Sequence, residues 1–208
     1  MARRVFFSFD YENVSDFRVN VVRNARFTNG ESYFVDNSMW EKAKTKGEAA
    51  LQKLIDDGLT GSSVTAVLIG SNTYGRKWVK YELIKSFTLG RGILGIHINR
   101  IKGKDQYIES KGPNPFECLR LTVDSEGKRI YFEELVDRKW REFKLFPDDN
   151  NKVSNTKHFS LGDKYNENQC GKTYKFSELG FRTRCWVNDN AKENLGSWIE
   201  EAVNSAGR

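Results

Sequence analysis

Val64-Thr65-Ala66-Val67-Leu68-Ile69-Gly70-Ser71 is a nearly unbroken run of β-branched and apolar residues that stops on glycine and serine. A strand buried on both faces reads this way, whereas a strand with one wet face alternates. A helical stretch follows at Trp78–Leu89, with Val79, Leu83 and Phe87 spaced by four on one face and Gly90 and Gly92 behind it. Ile93–Ile98 is the next apolar run, ending at Asn99. Two buried strands joined by one amphipathic helix make a parallel crossover unit.

The same unit repeats upstream. Val5–Phe9 is a short apolar run ending at Asp10, and Asp16 opens a helical pattern through Phe17, Val21 and Val22. Asn29-Gly30 breaks the chain before a second strand at Tyr33-Phe34-Val35, which ends at Asp36. Asn37–Thr45 is polar and reads as a loop, and Ala49, Ala50, Leu51, Leu54 and Ile55 mark a further helix closing near Gly58. The order predicts a flavodoxin-like α/β fold, a parallel sheet flanked by helices with right-handed crossovers. Past residue 100 the pattern changes. Leu119–Val123 and Arg129–Leu135 flank Asp124-Ser125-Glu126-Gly127-Lys128 and predict a β-hairpin, with Trp140 and Phe143 packing it back onto the core. Residues 147–175 read as long loops, and Leu195–Val203 as a terminal helix with Trp198, Ile199 and Val203 inward. The expected organisation is a domain over 1–116 and a C-terminal extension over 117–208 packed on it.

Composition narrows the function. The 208 residues are 38% apolar and 30% charged, which is globular, and no run approaches a membrane span. The apolar start at Val5–Phe9 is too short for a signal peptide, so a cytoplasmic protein is expected. Cys118, Cys170 and Cys185 form no CxxC pair, and His97 and His158 are the only histidines. A disulfide framework, a zinc site and a cysteine–histidine nucleophile are therefore disfavoured, and His97 reads as a packed core residue. The net charge of +6 comes mostly from residues 1–100, which carry 15 Lys/Arg against 10 Asp/Glu. That excess is spread out, with no zinc finger, RNP motif or basic helix, so a small phosphate-bearing ligand suits it better than nucleic acid.

Ligands of open parallel sheets bind at the carboxyl ends of the strands. Those ends carry Ser8 and Asp10, then Asp36, then Ser71 and Asn72, then Asn99. No Walker lysine motif and no Gly-x-Gly-x-x-Gly follows a strand, and Gly70-Ser71 stand where a phospho-receiver would want aspartate. Trp78 and Glu82 are four apart, hence neighbours on one helix face beside that rim. A tryptophan plate and a carboxylate suit a ribose bearing a flat cationic leaving group. Spacing alone favours the plainer reading, a packed Trp78 and a solvated Glu82.

Several segments together resemble a known family. Val5-Phe6-Phe7-Ser8-Phe9 is similar to the first-strand box of TIR domains. Tyr33-Phe34-Val35-Asp36 and the polar stretch to Trp40 resemble the second strand and BB loop. Ser71 through Trp78-Val79-Lys80-Tyr81-Glu82-Leu83 resembles the serine, loop and Trp-x-x-x-Glu helix start. More closely, those segments with Gly95–Asn99 and Lys111-Gly112-Pro113-Asn114-Pro115-Phe116 resemble the TIR-like ThsB proteins of Thoeris anti-phage systems. The resemblance implies an enzyme that cleaves NAD between nicotinamide and ribose, with Glu82 catalytic, and makes a cyclic ADP-ribose isomer that activates a separate effector protein. It implies Phe6, Ser8, Asp36, Trp40, Ser71, Asn72 and Trp78 as substrate-binding residues, NAD as substrate with no metal or cofactor, possible self-association and a possible phage-derived trigger. The other implied reading is a non-catalytic TIR-type interaction module. The chain departs from the family after the first strand: many TIR domains carry basic residues there, and here stand Asp10-Tyr11-Glu12. Acidic groups repel a diphosphate unless they point away.

Overall fold

The computed structural model describes residues 3–11, 17–25, 32–35, 37–127, 129–145, 152–154 (backbone only) and 169–207. Asp16, the Asn29-Gly30 break, Glu12, Asp36 and Lys128 lie outside the described residues.

The strands run β1 (Val5–Ser8), β2 (Ser32–Phe34), β3 (Val64–Ile69), β4 (Gly92–His97), β5 (Leu119–Val123), β6 (Arg129–Val136), β7 (Lys139–Glu142), β8 (Lys152–Ser154), β9 (Thr173–Lys175) and β10 (Arg182–Cys185). The helices are α1 (Phe17–Arg23), α2 (Asn37–Lys44), α3 (Glu48–Leu59), α4 (Lys77–Thr88) and α5 (Ala191–Ser205). The main sheet has the order β10-β4-β3-β1-β2, and every pairing in it is parallel. β3 and β4 are buried along their whole lengths, as continuous apolar runs require.

Alternation along each strand assigns the faces. On β4, a Cβ at Gly92 would meet the backbone of Ala202, so that face lies against α5, whereas one at Gly95 would meet Phe116 on the other face. On β1, Phe6 stacks on Tyr33 and packs against Gly58 of α3, while Phe7 stacks on Phe34 on the opposite side. Ser8 shares its face with Phe6, the α3 side. α4 joins α3 there through Lys77–Glu48 and the hydrogen bond from Tyr81 Oη to Asp56.

Three features differ from the expectations. Inside the stretch 147–175, expected to be long loops, residues 152–154 and 173–175 are the strands β8 and β9, while 147–151 and 155–168 lie outside the described residues. The stretch Asn37–Thr45 is mostly the helix α2 rather than a loop. Trp40 and Ala43, three apart, form a short buried stripe that the surrounding lysines and serine disguise. The main sheet also has a fifth strand, β10, supplied from far downstream. Its sequence, Arg-Thr-Arg-Cys, has no apolar run because it is an edge strand with half-wet residues.

The hairpin β5–β6 forms as expected and widens into a second, antiparallel sheet of order β7-β6-β5-β9, with β8 also on β6. It docks on α4. Phe87 of α4 meets Phe132 of β6, Phe176 and Phe181, and Phe181 meets Phe116. Phe143 is buried, and Trp140 lies under the Arg120 guanidinium. The terminal helix α5 buries Leu195, Trp198, Ile199, Ala202 and Val203. Among the described residues no helix is long and apolar enough to cross a membrane.

Candidate active site

α4 begins at the carboxyl rim of the sheet, and its first two turns carry Trp78 and Glu82. Val79 and Leu83 point into the core and fix the rotation of the helix. Glu82 then faces the end of β1. It is fully buried, 0% exposed, not solvated as its spacing alone suggested. The Tyr11 phenol donates a 2.6 Å hydrogen bond to Glu82 Oε1. Burial pushes the carboxyl pKa up to about 8, with the Ser8 hydroxyl and the Tyr11 phenol pulling it back down. Ser8 neighbours the carboxyl, yet no hydrogen bond of good geometry joins them, and among the described residues neither Ser8 Oγ nor Glu82 Oε2, both buried, has a partner. Burial, then the charge on Glu82, holds the Tyr11 phenol well above its ordinary range. At neutral pH the closed site therefore contains a protonated carboxyl group.

Aromatic rings cover that group. Tyr11 stacks on Trp40 of α2 at 4.1 Å and 14°. Trp78 meets Trp40 edge-on, and Tyr81 meets Trp78 edge-on. Trp40 is buried and Trp78 half-buried, so Trp78 is the more exposed of the two tryptophans in this cluster.

A recess lies alongside this cluster. A narrow cleft at the ends of β1, β3 and β4 is lined by Asp10, Gly70, Ser71, Asn72, Thr73 and Glu109, among others. Both acids in it are paired. Asp10 Oδ1 lies 2.8 Å from Arg76 Nε, and Glu109 lies 2.9 Å from Arg18. The Thr73 hydroxyl accepts from the Gly70 amide and donates to the Leu68 carbonyl, which shapes the turn after β3. Gly112 packs on that turn so closely that a Cβ would run into the Gly70 carbonyl oxygen.

The expected residues thus fall into groups. Ser8, Trp40, Trp78 and Glu82 come together in the aromatic chamber. Ser71 and Asn72 line the adjoining cleft. Phe6 is not at either place: it is fully buried two residues before Ser8, in the core beneath. Asp36 lies outside the described residues. His97 is buried as expected, and burial together with Lys111 lowers its pKa to about 4, so it is neutral. Sequence reasoning missed Tyr11 and the Arg76–Asp10 pair. Tyr11 was visible only as the middle of an acidic run, and Arg76 only as one cation among several before Trp78. Among the described residues, no cluster of three or more His, Cys, Asp or Glu could hold a metal ion.

A flavodoxin-like parallel sheet with a carboxylate and tryptophan on the helix after its third strand is the architecture of a TIR-type domain. Residues 6–102 match the family described as Thoeris protein ThsB, TIR-like domain. Over 203 residues, 96% of this chain and 100% of the relative, the chain is 43% identical to a Bacillus cereus (strain MSX-D12) protein named "Putative cyclic ADP-D-ribose synthase ThsB1". The chain belongs to the ThsB family of TIR-like proteins.

Proposed function

We propose that this chain cleaves NAD at the bond between nicotinamide and ribose and closes the ADP-ribose into a cyclic isomer that serves as an anti-phage signal. The observation that carries the reading is Glu82, a carboxyl group sealed with Ser8 inside an aromatic chamber at the sheet rim. The similarity to a protein named as a cyclic ADP-D-ribose synthase agrees with it.

The chemistry follows from these groups. The pyridinium of NAD leaves as neutral nicotinamide, taking the bonding electrons, so the leaving group needs no proton. C1′ of the ribose becomes an oxocarbenium-like cation. A carboxylate fixed beside it stabilises that charge without reorganising. Entry of the cationic nicotinamide favours ionised Glu82, reversing the effect of burial. Trp78 offers a stacking face, and Ser8, Ser71 and Asn72 offer hydrogen bonds to ribose or phosphate. In cyclisation an atom of the same ADP-ribose attacks C1′, and a hydroxyl attacker passes its proton to the ionised carboxylate. Keeping water out of the chamber then selects cyclic over linear product. The reading calls on NAD as substrate and on no resident cofactor. It places the protein in the cytoplasm, with an effector reached through the diffusible product and a phage-derived trigger, and it leaves room for self-association.

The test is chromatography and mass spectrometry of NAD incubated with lysate from expressing cells, with and without infection. A species with the mass of cyclic ADP-ribose is expected, and Glu82→Gln reduces it by at least about 100-fold. Undiminished turnover in Glu82→Gln would sink the assignment. The complete burial of Glu82 under Tyr11 favours one alternative, a TIR-type interaction module without catalysis. No NAD-derived species under either condition, with concentration-dependent assembly indifferent to Glu82→Gln, would select it.

A further inference from the structure

We propose that the Tyr11 side chain fills the place of the nicotinamide-ribose end of NAD, and that the substrate enters by displacing it. The proposal rests on the NAD reading above and adds to it a subsite and the internal group that occupies it.

Tyr11 makes the two contacts that this end of the substrate calls for. Its ring lies flat on Trp40, with centroids 4.1 Å apart and planes 14° from parallel, and it meets Phe9 at 4.5 Å. Its phenol donates a 2.6 Å hydrogen bond to Glu82 Oε1. A pyridinium is also a flat six-membered ring, and the ribose attached to it carries hydroxyls that can donate to the same carboxyl group. Its positive charge adds an attraction to the indole face that the phenol ring lacks. Two buried polar atoms beside this contact, Ser8 Oγ and Glu82 Oε2, have no hydrogen-bond partner among the described residues. One phenol answers one carboxyl oxygen, whereas a sugar with two hydroxyls can answer both.

With Tyr11 in place no substrate reaches Glu82, which is fully buried. Trp40 and Trp78 are set on the helices α2 and α4, and Trp40 is part of the buried stripe that seats α2. Tyr11 instead lies beyond Ser8, the last residue of β1 in the sheet ladder. Its side chain can therefore leave without moving a helix. The departure takes a buried ring out of an apolar place, so the closed form is favoured. The apparent affinity for NAD is then reduced by the fraction of molecules that are open. The substrate's cation offsets the cost, because it favours the ionised form of Glu82.

The experiment uses the purified full chain and carba-NAD. This analogue has a carbocycle in place of the nicotinamide ribose, so it keeps the pyridinium and the hydroxyls but is not cleaved. Calorimetric titration compares the wild type, Tyr11→Ala and Tyr11→Phe, with AMP, which lacks the pyridinium, as the control. Tyr11→Ala is expected to bind carba-NAD about tenfold tighter or more and to leave AMP unchanged, a gain that misfolding cannot imitate. Tyr11→Phe keeps the ring and loses one hydrogen bond, so a tightening of about threefold is expected there. p-Cresol, the missing side chain, should raise the melting temperature of Tyr11→Ala and compete with carba-NAD. Unchanged or weaker carba-NAD binding in a folded Tyr11→Ala would make Tyr11 a structural prop and overturn the proposal. So would p-cresol that stabilises the variant without competing. If Tyr11→Ala does not fold, a Tyr11→Phe that binds no tighter than the wild type overturns it equally. Tightened carba-NAD binding with no NAD cleavage by any variant would instead defeat the cleavage reading and leave the subsite standing.

Discussion

Glu82 behaves as two different groups in the folded and unfolded chain. Unfolded, its carboxyl titrates near the ordinary 4.5; folded and closed, it holds its proton up to about 8. Between those values the folded state binds more protons, so stability falls as pH rises from about 4.5 to about 8 and then levels off. Glu82→Gln has no proton to lose. Its melting temperature is expected to gain on the wild type steadily across that window, and a constant offset would show that Glu82 is ionised in the folded protein. Activity responds in the opposite sense, because the carboxylate is the working form. The value of kcat/KM should climb with pH toward about 8, and Tyr11→Phe, which removes a hydrogen bond that lowers the pKa, should move that rise to higher pH. A shift to lower pH would contradict the assigned contact. Trp78 and Glu82 were legible from their four-residue spacing and their place after β3. The burial of Glu82 was not, because it depends on Tyr11 and Trp40, which arrive from other elements.

At the scale of elements, α4 is the hinge between two sheets. One side carries the site; the other receives the antiparallel sheet through Phe87 and through Lys80, whose Nζ lies 2.5 Å from Glu134 of β6. The two side chains are 4% and 21% exposed, so each neutralises a charge that water cannot reach well. Lys80→Met alone is expected to cost roughly 2–3 kcal/mol in urea unfolding, since Glu134 keeps some solvent. Adding Glu134→Leu should return most of it; a double variant no better than the single one would assign the loss to packing instead. The apolar strands were plain in the sequence because burial on both faces leaves continuous runs. α2 and β10 were not, the first because two buried residues among polar ones carry too little periodicity, the second because an edge strand has little apolar face to display.

For the whole molecule, the family match over 6–102 covers less than the fold needs. β10 extends the main sheet beside β4, and α5 covers one face of it with Leu195, Trp198, Ile199 and Val203. A chain ended after Phe116 would expose that face and the aromatic cluster of Phe87. It is expected to show no cooperative thermal transition and to bind a hydrophobic dye, and a sharp transition would show that the first part folds alone. The terminal helix could be read from its own periodicity, but its place against β4 could not, because nothing local records which strand a distant segment will cover. The position of β10 also orders events during synthesis. β4 leaves the ribosome long before Arg182–Cys185, and in the interval its apolar edge has no neighbour. A translation pause in the second half of the message would lengthen that interval, so the cell's chaperones meet this protein first as an unfinished sheet.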